Sequence, residues 1–186
     1  EALFTARFEP LRETASLMGD LPPARPGGVP LVLALTREVV APELSIPLLR
    51  LAGGGERPGI LDPNHGEEGL APYEPVPEVV LPHPGAYLLL DVDRGDAFRG
   101  TAPEVALGSA LDEGRTPLTV EEGIAVVTHA PHLLERNHCF SLAGSRRGDR
   151  RVPALWISAG APKLGWCWAG NPHDWLGLAT AASRTA

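Results

Sequence analysis

The sequence predicts a single α+β domain with a mainly antiparallel sheet, an N-terminal helix and two central helices. Three observations predict it. Helical periodicity is confined to residues 1–19 and to two segments between 103 and 130, while short apolar runs bounded by Gly and Pro fill much of the rest. The two central helices follow one another and lead directly into a strand-rich end, an order that suits α+β and not alternating βαβ units. The 186 residues fit one domain, 1–186, with 1–82 and 83–186 as the natural lobes if there are two.

Leu3, Phe4, Phe8, Leu11, Ala15 and Met18 recur at helical steps and predict an amphipathic helix over 1–19. Pro10 predicts a kink or break near Glu9, because it removes one amide donor and crowds the preceding turn. Residues Asp20 to Pro30 read as a Pro/Gly loop, and Leu31–Leu35 as a buried strand. Pro42 and Pro47 exclude one regular helix over 37–52 and leave a turn followed by a strand at Ile46–Leu51. Ala52 to Leu70 is loop. Its Gly53-Gly54-Gly55 run lacks the GxxxxGK[ST] pattern of a phosphate cradle.

The proline-rich stretch Pro72 to Pro84 should be extended, with an edge strand at Val76–Leu81. Ala86–Val92 is a clear strand, with Leu88, Leu90 and Val92 on one face and Tyr87, Leu89, Asp91 and Asp93 on the other. Two carboxylates on one face invite a metal or acid–base reading, against the plainer one of a strand emerging into solvent. A helix follows from Pro103 to Glu113, closed by Gly114. Thr119-Val120-Glu121-Glu122 is a capping box opening a second helix to about Ala130, with Val120, Ile124 and Val127 buried and Pro131 as its stop. His132 to Asn137 adds one more helical turn.

The stretch from Asn137 to Ala179 holds all four tryptophans, both cysteines and the only lysine, Lys163. Strands are expected at Cys139–Leu142, Val152–Ser158, Lys163–Ala169 and Trp175–Ala179. Gly144–Arg151 forms a hairpin loop, Gly160-Ala161-Pro162 a turn, and Gly170-Asn171-Pro172-His173 another.

A net charge of −7 argues against nucleic-acid binding by phosphate neutralisation. No apolar run approaches the roughly 20 residues of a membrane span. Two cysteines without a CxxC pattern suit a reducing, cytoplasmic compartment, although neighbouring strands leave a bridge between Cys139 and Cys167 open. Glu1 rather than Met opens the chain, which leaves room for a leader removed upstream. GxGxxG, HExxH, GxSxG and kinase signatures are all missing, and His129, His132 and His138 lack ligand spacing, so no cofactor and no metal is expected.

The site candidates lie in the strand-rich end. Trp166 and Trp168 share a strand face beside Asn171 and His173, which suggests an aromatic wall for a flat or apolar ligand. Arg146 and Arg150, from the run of four arginines, suggest an anion contact. Cys167, His173 and Asp174 have the residue types of a thiol nucleophile and its base, at a spacing that does not establish contact. Against these stand plainer readings: core tryptophans, a solvated hairpin tip, inert buried cysteines. The function favoured is a small-molecule binding protein or enzyme. The alternative is a non-catalytic structural or protein-interaction module. Oligomeric state is not legible.

Several segments together carry a family resemblance: Tyr87-Leu88-Leu89-Leu90-Asp91-Val92-Asp93-Arg94-Gly95, Gly114-Arg115-Thr116-Pro117-Leu118-Thr119-Val120-Glu121-Glu122-Gly123-Ile124-Ala125, Gly148-Asp149-Arg150-Arg151-Val152-Pro153-Ala154-Leu155-Trp156-Ile157-Ser158 and Pro162-Lys163-Leu164-Gly165-Trp166-Cys167-Trp168 with Gly170-Asn171-Pro172-His173. With Cys139-Phe140-Ser141-Leu142-Ala143-Gly144-Ser145-Arg146 they resemble an uncharacterised actinobacterial family, a domain of unknown function, over roughly residues 84–178. The resemblance implies a bacterial, cytoplasmic protein. It implies no activity, cofactor or catalytic residue.

Overall fold

A hairpin of two eight-residue strands forms the middle of one sheet, and that sheet supports the candidate site. The structure, a computed structural model, describes residues 2–18, 25–82 and 85–186, with side chains from Phe8 onward. In chain order the elements are α1 (Ala2–Leu17), β1 (Gly28–Leu35), α2 (Pro42–Ser45), β2 (Ile60–Leu61), β3 (Glu74–Pro75), β4 (Ala86–Asp93), α3 (Pro103–Asp112), β5 (Thr116–Pro117) and α4 (Val120–His129). Then come β6 (Cys139–Ser141), β7 (Ser145–Arg146), β8 (Arg151–Ser158), β9 (Ala161–Trp168), β10 (Leu176–Leu178), β11 (Thr180–Ala181) and β12 (Ser183–Thr185). This is the α+β architecture the sequence predicts.

One sheet runs β1-β4-β11-β5, with β12 also on β4; the other runs β10-β6-β8-β9-β2. Each thus includes a strand from residues 28–61 alongside strands from the second half. A small β3-β7 ribbon stands apart. Pairing is antiparallel except at the two flanks of the second sheet, where β10 lies parallel to β6 and β2 parallel to β9. The buried faces of both sheets and the stripes of α3 and α4 share one core, centred on side chains such as Phe140, Leu155, Leu164, Leu118 and Leu142.

α4 begins as expected. The Thr119 hydroxyl accepts from the Glu122 amide while the Glu122 carboxylate accepts from the Thr119 amide at 2.7 Å. Val120, Ile124 and Val127 are buried. α3 ends before Gly114, whose φ of 71° is the left-handed geometry of a helix terminus.

Several expectations are corrected. α1 runs through Pro10 without a break. Phe8, Leu11, Ala15 and Met18 pack with Leu31, Leu33, Leu35, Ala86 and Leu88, and that burial offsets the amide bond the proline gives up. The side chains of Leu3 and Phe4 lie outside the described part, as do residue 19, residues 20–24 of the Asp20–Pro30 loop and residues 83–84 of the Pro72–Pro84 stretch. The strand expected at 31–35 starts earlier, at Gly28. Its register against β4 skips Pro30 and Asp91, where a residue without a donor meets one at φ 48°.

Ile46–Leu51 is not a strand. Pro42 and Pro47 each open a helical turn, where their missing donors cost nothing, so α2 passes into a single 3₁₀ turn at Ile46–Leu48. Val76–Leu81 is not a strand either, and only Glu74–Pro75 pairs, against β7 in what reads as a hairpin loop. The turn after β8 is Ala159-Gly160, both at positive φ, so Ala161 and Pro162 already belong to β9. His132 to Asn137 contributes a 3₁₀ turn at Pro131–Leu133 and then a tight turn from Glu135 to His138.

The last seven residues carry no sequence expectation, yet they build β11 and β12. Arg184 on β12 bonds Glu122 Oε2 at 2.8 Å with both side chains buried, and the Tyr87 hydroxyl donates to the other oxygen at 2.7 Å. Burial, reinforced by the Glu122 charge, pushes the Tyr87 hydroxyl far above its ordinary pKa. The C-terminus is thereby fastened to the first turn of α4.

Candidate site: an aromatic-walled cavity

β8 and β9 are in register from Arg151↔Trp168 to Ser158↔Ala161. Directly opposed residues share a face, so Trp156, Lys163, Gly165 and Cys167 lie on one face and Trp166, Trp168 and Leu164 on the other. The tryptophans therefore form two pairs. Trp166 and Trp168 meet edge-on with ring centres 4.9 Å apart, and Trp156 meets Trp175 edge-on at 6.4 Å. His173 lies 5.0 Å from the Trp175 ring and extends that second group.

Both pairs border a cavity of about 750 Å³. Its walls include all four tryptophans, Cys139 and Cys167 at the back, His173 and Asn171 from the turn after β9, and Arg136 with Asn137 at a rim. Ala154 and Ile157 of β8 and the Ala159-Gly160 turn complete it. Trp156 is held from behind, since Lys163 Nζ stands 5.6 Å from its ring centre and is itself paired to Asp62 at 2.8 Å. Burial works against the Asp62 charge, but Lys163 and the Asn64 amide outweigh it and hold that carboxyl below its ordinary pKa. The lysine amine is thus engaged in an ion pair.

Of the residues singled out from sequence, Trp166, Trp168, Asn171, His173 and Cys167 border this cavity; Arg146, Arg150 and Asp174 do not. The four arginines of the 146–151 segment take different roles. Arg150 pairs with Glu104 at 3.0 Å on the surface. Arg147 pairs with Glu68 at 2.9 Å and stands over Tyr73, whose hydroxyl burial pushes up to about 12. Arg151 pairs with Asp149 at 3.2 Å and stands over Trp166. The Arg146 side chain is half-buried with no hydrogen bond or ion pair among the described residues, and its burial lowers its pKa. Its charge falls on the Cys167 thiol, which links it to the cavity wall without lining it.

The thiols are poorly placed for nucleophilic chemistry. Both are buried and unbridged. Cys167 Sγ donates weakly to the Val152 carbonyl at 3.8 Å, and burial pushes it up to about 11 despite Arg146. Cys139 is raised by burial as well. The His173 ring approaches Asn171 at 3.4 Å, with no hydrogen bond to Cys167 or Asp174 among the described residues. Asp91 and Asp93 share Arg25, each at 3.1 Å, and Asp91 also meets Arg115 at 2.9 Å, so these carboxylates are spent on ion pairs. Among the described residues no three His, Cys, Asp or Glu side chains cluster as a metal would need.

A family model described as a family of unknown function (DUF5701) matches residues 1–186. The chain belongs to the DUF5701 family. The match extends beyond the resembling segments at 84–178 and takes in both sheets and the helix at the N-terminus. No curated protein and no solved structure matches the chain. In this DUF5701 chain the cavity wall gathers most of the residues singled out from sequence. Among the described residues no helix is long and apolar enough to cross a membrane.

Sequence reasoning did not single out Arg136, Asn137, Trp156 and Trp175, which also border the cavity. The two tryptophans read equally well as core, and periodicity cannot tell a core indole from one beside a void. Asn137 offered a signal, because Asn is one of the few residues that tolerates φ 65° and so marks a turn and not a helix.

Proposed function

We propose that this protein binds a planar, ring-containing small molecule against the indoles that border the cavity, and that it does so without a thiol nucleophile. The observation that carries this reading is the wall itself: four indoles border one space of about 750 Å³, within the range of small-ligand sites. Aromatic walls favour flat ligands because stacking adds about 0.5–1.5 kcal/mol per ring pair beyond burial. The raised Cys167 thiol supports binding over covalent catalysis, and the unpaired Arg146 offers a positive charge close behind the wall. A bacterial, actinobacterial and cytoplasmic setting belongs to the same proposal, supported by fifteen arginines against one lysine and by two unbridged cysteines.

Quinoline-2-carboxamide, a neutral flat bicycle, is a suitable probe. Calorimetric titration should give a dissociation constant below about 1 mM with a negative heat-capacity change, the mark of apolar burial. No binding of this probe or of its carboxylate analogue, with the protein folded, would overturn the reading.

A further inference from the structure

The cavity also has a sign. None of its lining residues is Asp or Glu, although the chain carries twenty-three acidic side chains and a net charge of −7. The one ionic group in its wall is Arg136. That guanidinium is exposed and has no hydrogen bond or ion pair among the described residues.

The fold supplies a reason for its freedom. Arg136 and Asn137 are the middle of a tight turn in which the His138 amide donates to the Glu135 carbonyl at 3.0 Å, with Asn137 at φ 65°. Both sides of the turn are pinned. His138 Nδ1 lies 3.0 Å from each oxygen of Asp96, and Arg99 Nη1 donates to the Asn137 carbonyl at 3.0 Å. Asp96 is anchored in turn by the buried Arg94, whose Nη2 lies 2.9 Å from it. Glu135, the carboxylate next to Arg136 in sequence, pairs with Arg94 at 3.4 Å. A charged side chain thus sits on a fixed backbone at the rim of an aromatic space, with the carboxylate adjacent in sequence engaged elsewhere. Fixing the backbone in advance reduces the entropy cost of a ligand contact, and a guanidinium favours the paired oxygens of a carboxylate or phosphate.

We infer that the cavity selects a planar aromatic anion, with the ring against the indoles of its wall and the carboxylate or phosphoryl group held by Arg136. This rests on the cavity reading above. It moves the anion contact from the 146–151 hairpin, where Arg150 is paired and Arg146 stands behind the wall, to a residue on a different segment. Asp96 and His138 act as positioning residues for the turn.

The test pairs quinoline-2-carboxylate with quinoline-2-carboxamide, which share a ring and differ by one charge, on the native protein and on Arg136→Gln. Native protein should bind the carboxylate about tenfold tighter than the amide. Arg136→Gln should collapse that preference by weakening the carboxylate far more than the amide, with near-ultraviolet circular dichroism checking that the fold is kept. Added salt should erode the preference and not the amide affinity. Equal native affinities would overturn the inference and leave the ring site standing, as would a preference that survives in Arg136→Gln. Failure of both probes would overturn the cavity reading and this inference together.

Discussion

The indole of Trp156 covers the bare backbone of Gly165 on the adjacent strand. A side-chain carbon at Gly165 would overlap the far edge of that ring and would also approach Asp62. Glycine inside a strand usually costs stability, but here it leaves room for a large aromatic that also borders the cavity. Gly165→Ala should therefore displace Trp156. Overpacking of this kind costs about 1–3 kcal/mol, measurable by urea denaturation, and near-ultraviolet circular dichroism should lose part of its indole signal. A variant with unchanged stability and unchanged aromatic signal would contradict the packing described.

Cys167 should behave as an inert thiol. With its pKa pushed up to about 11, iodoacetamide should react slowly at pH 7.5 and faster as pH rises toward that value. Cysteine→serine replacement at 167 should leave probe affinity within about threefold. Rapid alkylation at neutral pH would contradict both the burial and the non-covalent reading.

The Arg184–Glu122 pair gives the sharpest stability prediction. Both side chains are buried, and Tyr87 and Thr119 depend on the same carboxylate. Removing one partner leaves an uncompensated charge, so Arg184→Gln should cost about 3–5 kcal/mol and lower Tm by roughly 10 °C. The double replacement Arg184→Met with Glu122→Gln should recover part of the loss. A small effect of the single variant would mean that water reaches the pair.

Acid stability follows from Asp62 and Asp96. Burial opposes their charge, but Lys163 at the first, and His138 with Arg94 at the second, outweigh it, so both are held below the ordinary 3.8. A depressed carboxyl adds stability above its unfolded pKa, and that stability is lost as pH falls through the folded value. Denaturation midpoints should therefore be insensitive to these groups from pH 7 to about 5 and fall below pH 4. Asp96→Asn and Asp62→Asn should be less stable at pH 7 and lose less on acidification. Parallel pH profiles for native and variant proteins would contradict the linkage.

Much of the fold was legible because its signals are local. The capping box at Thr119 and Glu122, the alternation in Ala86–Asp93 and the run Val152–Ser158 each state their structure within a few residues. The errors arise where distant partners decide. Short strands exist only through their neighbours: Ile60–Leu61 because Lys163 and Leu164 lie beside it, and Ser183–Thr185 because of β4 and Glu122. Helix α1 survives Pro10 because a sheet face waits under its apolar stripe. The site was half legible: the tryptophan strand and the Asn171–His173 turn could be read as neighbours in sequence. The freedom of Arg136 could not, since it depends on Glu135 being claimed by Arg94 from another part of the chain.

Fluorine NMR on protein labelled with 5-fluorotryptophan addresses the aromatic wall most directly. Four resonances, assigned by single Trp→Phe replacements, report on Trp156, Trp166, Trp168 and Trp175. On titration with quinoline-2-carboxylate, the resonances of Trp156 and Trp175 should move together and saturate with one constant equal to the calorimetric value. Four resonances that stay in place at saturating probe would contradict the proposed site.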